Sequence, residues 1–231
     1  MIDVTKYASI AEQAETLASI VVDQLSNAVS SKGRATLAVP GGTTPAPFLQ
    51  CLSHKSLDWS NISIIPTDER VVDETSPRSN AKLIKDNLKQ NQASNANFNA
   101  LMTGNGGDAT DLGEVESLIQ YVLPIDVCVL GMGADMHTAS LFPGAEGLEE
   151  ALNPKGNKAL ACVNPDGVPE RRISLTAPVL SNSDHIHLLI TGSDKLDALE
   201  KAQMVSVTKD APIRIVLGHS SFMVHYAEKG K

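Results

Sequence analysis

Aromatic residues make up only 3% of this chain of 231 residues, which removes the stacking platforms on which single-stranded nucleic acids are held. Cysteine is also sparse. Cys51, Cys128 and Cys162 are an odd, widely spaced set without a C-x-x-C pairing, so neither a disulfide framework nor a zinc cluster is expected, and buried thiols of a reducing compartment fit better. No apolar stretch reaches the roughly 18 residues that span a bilayer, and the start, Met1-Ile-Asp-Val-Thr-Lys6, lacks the basic and apolar regions of a signal peptide. Long basic runs are missing and the formal net charge is -8, which argues against a nucleic-acid partner, because phosphate backbones are bound by clusters of Lys and Arg. The expectation is a soluble, unprocessed, cytoplasmic protein in which an anionic ligand needs a local cationic site.

What is present suits a single domain over residues 1–231, since the 42% hydrophobic content can fill one sizeable core. Ile10, Ala14, Leu17, Val21, Leu25 and Ala28 recur at helical spacing and Gly33 follows as a stop, predicting a helix over residues 7–30 with Glu12, Glu15 and Asp23 on the wet face. Short apolar or β-rich runs recur at 35–40, 62–66, 125–131, 159–163, 173–176, 185–191 and 213–217, with helix-like stretches between several of them. That alternation predicts an α/β fold with a mostly parallel, doubly wound sheet flanked by helices. The Asn-, Ala-, Ser- and Gly-rich residues 91–105, and residues 143–157, read as irregular connections.

Chemistry concentrates where apolar runs end. After the first comes Val39-Pro-Gly-Gly-Thr-Thr-Pro-Ala-Pro-Phe48. Paired glycines let backbone approach a ligand, Thr43 or Thr44 can cap the following helix, and amides at a helix start attract phosphate; Gly41, Gly42, Thr43 and Thr44 are therefore candidate binding residues. After the second comes Thr67-Asp-Glu-Arg70, in which Asp68 and Arg70 face one way and Glu69 the other if the chain is extended, followed by Ser79-Asn80 at a helix start. After the third comes Gly131-Met-Gly-Ala-Asp-Met-His-Thr-Ala-Ser-Leu-Phe-Pro-Gly144. Histidine ordinarily titrates near pH ~6.5 and suits a general base when a carboxylate orients it, which makes His137 the candidate base, with Asp135 or Asp68 as its partner. The third glycine of a dinucleotide fingerprint is missing and no G-x-S-x-G elbow surrounds Ser140, so neither a nicotinamide cofactor nor a serine nucleophile is expected. His185 and His187 share a strand face without an identifiable third metal ligand, and no metal site is assigned. Lys195, in Gly192-Ser-Asp-Lys195, and one of Arg171 and Arg172 are candidates to reach an anion at the same sheet edge.

Taken in order, Gly41-Gly-Thr-Thr-Pro45, Asp68-Glu-Arg70 with Ser79-Asn80, Gly131–Gly144, Arg172-Ile-Ser-Leu-Thr176 and Gly192-x-x-Lys195 resemble the family that joins glucosamine-6-phosphate deaminases and 6-phosphogluconolactonases, over residues 7–217. The lactonase branch is the nearer. Deaminases show Asp-Glu-Tyr and His-Ile-Ala-Phe-Asn-Glu-Pro where this chain has Asp68-Glu-Arg70 and His137-Thr-Ala-Ser-Leu-Phe-Pro143, so the glutamate of a ring-opening isomerase is replaced by Leu141 or Phe142. The resemblance implies hydrolysis of a phosphorylated gluconolactone, no required cofactor, and His137 as base. Arg70 and amides of residues 131–133 would meet the oxyanion, and Gly41–Thr44 with Arg172 or Lys195 would hold the phosphate. A small-molecule partner follows, with neither nucleic acid nor membrane, in a monomer or small homo-oligomer. The alternatives are an isomerase or deaminase and a non-catalytic sugar-phosphate sensor. Two positions depart from the family pattern: Pro40 stands for a serine, and Met136 for a glycine at a place where a positive φ would strain a methionine.

Overall fold

The computed structural model describes residues 2–102 and 112–229. Helix α1 (Ile10–Lys32) begins where Ser9 Oγ accepts the Glu12 amide at 3.1 Å while the Glu12 carboxylate accepts the Ala8 amide at 2.8 Å. It ends where Gly33, left-handed at φ 75, donates its amide to Val29. Ala14, Leu17, Val21, Leu25 and Ala28 are buried, as the spacing requires. The start differs from the expectation, because Tyr7 closes a short strand instead of opening the helix.

Among the described residues, ten strands form two sheets: β1 (Val4–Tyr7), β2 (Ala35–Val39), β3 (Ile62–Pro66), β4 (Asp68–Arg70), β5 (Asn97–Phe98), β6 (Val127–Leu130), β7 (Leu160–Val163), β8 (Arg172–Leu175), β9 (His185–Thr191) and β10 (Phe222–Ala227). Seven of them lie in the order β1-β10-β9-β6-β2-β3-β5, every pair parallel. This is the doubly wound sheet expected. From β2 the chain winds outward through β3 to β5, then returns to β6 and winds the other way through β9 to β10. The reversal therefore lies between β2 and β6, and the loops leaving those strands open a crevice at their carboxyl ends.

Helices α2 (Ala46–Ser53) and α3 (Asn80–Asn87) join α1 on one face. Helices α4 (Leu112–Val122), α6 (Ala177–Ser181), α7 (Ser193–Met204) and α8 (Arg214–Leu217) cover the other. Alternation fills both cores from single strands: Val127 and Val129 of β6 enter the first, Cys128 and Leu130 the second. Cys128 is fully buried and burial pushes its thiol up to about 12, while Cys51 and Cys162 are only half-buried, contrary to the expectation of three buried thiols.

Several expectations are corrected. Residues 159–163 and 173–176 do contain strands, β7 and β8, but these form a separate antiparallel sheet with β4. Their connection is too short to hold the crossover that a parallel pair needs. Residues 213–217 contain helix α8, since so short an apolar run carries no period that separates strand from helix. Residues 143–157 include a short helix, α5 (Leu148–Leu152), and residues 91–105 include a 3-10 turn at Asn91–Asn95 and strand β5; residues 103–105 lie outside the described residues. Neither Thr43 nor Thr44 caps α2, whose N-cap position is Pro45 without a side-chain bond.

Candidate active site

A cleft of about 270 Å³ lies at the switch point, and it is lined by residues from widely separated stretches of the chain. The loop after β2 contributes Gly41 to Thr44, with Gly42 at φ 90. Strand β4 contributes Asp68 and Arg70, and the loop after β6 contributes Gly131, Gly133 and His137. Arg172 enters from β8 and Lys195 from the first turn of α7. Asp135 touches the cleft through His137.

The geometry around His137 separates the two carboxylates left open by the sequence. Asp135 Oδ1 lies 2.5 Å from His137 Nδ1 and also faces the His137 amide at 3.3 Å. An ionised carboxylate only accepts, so Nδ1 carries the proton and Nε2 presents its lone pair. Burial pushes the Asp135 carboxyl up, but the hydrogen bonds and charge of His137 outweigh it and hold the group below its ordinary range. The Phe142 ring stacks on the imidazole with centroids 4.1 Å apart. The pair is folded tightly over Gly133, where a β-carbon would collide with both His137 Nδ1 and Asp135 Oδ1, so glycine is required by close approach.

Asp68 is not the partner of His137. Its Oδ2 accepts from Ser140 Oγ at 2.5 Å, and Thr67 Oγ1 donates to Oδ1 at 3.3 Å. Ser140, set aside as a nucleophile, is thus buried and bound to the second carboxylate of the cleft. No local signal could have revealed this, because 72 positions separate the two residues. Glu69 points the opposite way from its neighbours: its buried carboxylate accepts the amides of Asn80 at 2.8 Å and Ala81 at 2.7 Å.

The cationic side of the cleft is built by pairing in the second sheet, where Arg70 lies opposite Arg172. Arg70 Nη1 donates to the Arg78 carbonyl at 2.8 Å. Arg172 is 5% exposed, and its Nε and Nη1 have no hydrogen-bond partner among the described residues. Burial, and then the charge of Arg70, push its guanidinium below its usual range, which lies high enough that it stays cationic at neutral pH. Of the two arginines left open, Arg171 is exposed and Arg172 lines the cleft. Lys195 Nζ stands 3.8 Å from Asp194 Oδ2. The amides of residues 131–133 are not all available to a ligand, since Gly133 donates to the His137 carbonyl at 2.9 Å.

The cleft thus sets a carboxylate-bonded histidine and a cationic wall at the switch point of a parallel, doubly wound α/β sheet. The chain belongs to the glucosamine-6-phosphate isomerases/6-phosphogluconolactonase family, whose model matches residues 8–224. It is 39% identical over 208 residues to a 6-phosphogluconolactonase of Rhizobium meliloti, covering 88% of each chain. To one of Neisseria meningitidis serogroup A it is 36% identical over 229 residues, covering 96% of this chain and 98% of the relative. The crystal structure of a 6-phosphogluconolactonase from Shewanella baltica superposes with a TM-score of 0.92 at 34% identity, covering 100% of this chain and 98% of that one.

Proposed function

We propose that this chain is a carboxylic-ester hydrolase that opens 6-phosphogluconolactone to 6-phosphogluconate, a step of the pentose phosphate pathway, with His137 activating the water. The observation that carries the mechanism is the His137–Asp135 pair in a switch-point cleft that Arg172 also lines, a buried arginine whose Nε and Nη1 have no hydrogen-bond partner among the described residues. In this reading His137 Nε2 takes a proton from water as the oxygen bonds to C1. Arg70 stabilises the oxyanion, because a donor already aimed at the developing charge contributes most in the transition state. The C1–O5 bond then breaks and His137 returns its proton to O5, so one water is consumed and His137 is regenerated. Asp135 stabilises the imidazolium between the two transfers. Asp68, held by Ser140, orients the water or a ring hydroxyl. The phosphate rests against Gly41–Thr44 and the uncapped start of α2, neutralised by Arg172 and Lys195.

An apolar, fully buried Leu141 and a Phe142 stacked on the base favour the lactonase over a ring-opening isomerase, which needs an acid there. We read the chain as one domain that acts in the cytoplasm as a monomer or small homo-oligomer, on a small molecule and without nucleic acid. The net charge of -8 supports the last point, and no helix among the described residues is long and apolar enough to cross a membrane.

The test is hydrolysis of freshly made 6-phosphogluconolactone near pH 6.5, scored above spontaneous opening. The wild type turns over; His137→Ala lowers kcat by about 10²- to 10⁴-fold, and Asp135→Asn by about 10²-fold or more because it no longer fixes the tautomer. A wild type that binds 6-phosphogluconate yet only matches the uncatalysed rate is a sensor, and the lactonase reading falls.

A further inference from the structure

Asn80 stands in the sequence motif and lines the cleft, yet the chemistry above gives it no task. It is 1% exposed and sits at the first position of α3. Its Nδ2 donates to the Asp68 carbonyl at 2.8 Å, which fixes the sense of the amide, since a carbonyl can only accept. Oδ1 must then point away from β4. It lies over Gly41, where a β-carbon would collide with the Asn80 side chain, and it has no hydrogen-bond partner among the described residues. The wall of the cleft thus holds a buried acceptor, locked from behind and covered by the loop that precedes Thr43 and Thr44, so a ligand reaches it only when that loop yields. Buried acceptors are satisfied in native proteins with few exceptions, and an exception inside a binding cleft calls for a ligand donor.

The nature of that donor follows from the neighbours. An amide oxygen repels a phosphate dianion, so the anion belongs to Arg172, Lys195 and the amides around Thr43 and Thr44, away from Oδ1. The substrate class that brings both an anion and neutral O–H donors is a phosphorylated polyol. We propose that Asn80 is a specificity-determining residue whose Oδ1 accepts a hydrogen bond from one ring hydroxyl of the substrate, between the reacting carbonyl and the phosphate. The assignment deepens the lactonase reading and rests on it for the substrate, though not for the acceptor. It also accounts for Gly41: any larger residue would displace the amide from the hydroxyl.

Rejection of a substrate lacking that hydroxyl is the signature, because the analogue leaves the acceptor buried and unpaired. The experiment measures kcat/KM for 6-phosphogluconolactone and its 2-, 3- and 4-deoxy counterparts with the wild type, Asn80→Ala, Asn80→Leu and Asn80→Asp, alongside calorimetric binding of the corresponding phosphorylated aldonates. The wild type discriminates against one deoxy compound by about ten- to a hundredfold. Asn80→Ala and the bulk-preserving Asn80→Leu abolish that ratio at the same position, while Asn80→Asp, which keeps an acceptor but loses the donor to Asp68, retains it. Equal losses on all four compounds with the ratio unchanged would reduce Asn80 to a structural anchor of β4 and overturn the proposal. So would a wild type indifferent to every deoxy compound, a result that needs no variant to fold. A wild type that hydrolyses none of the lactones defeats the lactonase reading alone, since the binding ratios for the aldonates still decide whether Asn80 reads a hydroxyl.

Discussion

Met136 holds its backbone at φ 67, in the left-handed region where an L side chain costs about 1–2 kcal/mol and glycine is free. Three anchors keep it there. Its amide donates to the Gly133 carbonyl at 3.0 Å, its carbonyl accepts the Ile213 amide at 3.1 Å, and its side chain is buried in the core beneath α8. The turn folds His137 and Asp135 back over Gly133, so the strain serves the geometry of that pair. Both Met136→Gly and Met136→Ala lose the buried thioether, but only glycine also relieves the backbone. In urea denaturation we expect Met136→Gly to be more stable than Met136→Ala by about 1 kcal/mol, despite being smaller. Equal stabilities would mean that the loop relaxes out of the left-handed region. The positive φ was legible from the sequence, because glycine is the family's residue at that place. The buried methionine that compensates for it was not, since its partner Ile213 arrives from far along the chain.

At the scale of elements, β4 and α3 form one device. Ser79 Oγ accepts the Lys82 amide at 3.1 Å and the Glu69 carboxylate accepts two more first-turn amides, so α3 is capped by its own N-cap and by a strand. Burial pushes the Glu69 carboxyl up, and the amides of Asn80, Ala81 and Arg70 pull it back. Because Glu69 is tied behind the sheet, Asp68 and Arg70 on either side are turned into the cleft. Glu69→Ala leaves several buried amides unpaired and is expected to destabilise the protein by about 3 kcal/mol or more. It should also raise KM for the lactone, as Asp68, Arg70 and Asn80 lose their common support. A calorimetric melt together with a kcat and KM pair checks this, and an unchanged KM would show that β8 alone positions β4. The alternation that separates Glu69 from its neighbours was readable in Asp68-Glu-Arg70, but the cap was not. Strands β2, β3, β6 and β9 announced themselves as apolar runs, whereas β1 exposes Thr5 and Lys6 at the sheet edge and β10 carries a buried histidine that interrupts its apolar pattern.

Across the whole molecule, that histidine belongs to a directed chain of hydrogen bonds beneath α1. Tyr7 of β1 meets His225 Nδ1 at 2.8 Å, His225 Nε2 meets His187 Nδ1 of β9 at 3.0 Å, and His187 Nε2 meets Gln24 Oε1 of α1 at 2.8 Å. Each ring donates once and accepts once only when both imidazoles are neutral. Burial, helped by the charges of His225 and His185, lowers His187 to about 3, and burial lowers His225 to about 4. Unfolded histidines titrate near ~6.5, so the unfolded chain binds protons first. The stabilisation is complete above that value and is lost as pH falls toward the folded values. Between pH ~6.5 and ~4.5 stability is expected to fall by up to about 1.4 kcal/mol per pH unit for each histidine. His225→Gln should halve that slope in chemical denaturation, and a flat profile in the wild type would mean that the imidazoles are already charged in the fold. By itself the sequence determined the α/β alternation, the family and the identity of most cleft residues, because those are properties of local pattern and motif order. Only the tertiary structure decided that Asp135 and not Asp68 holds His137, that Arg70 pairs with Arg172 in a second sheet, and that Asn80 carries an oxygen without a partner among the described residues. Each of these depends on contacts between distant segments, which close only when both cores are packed.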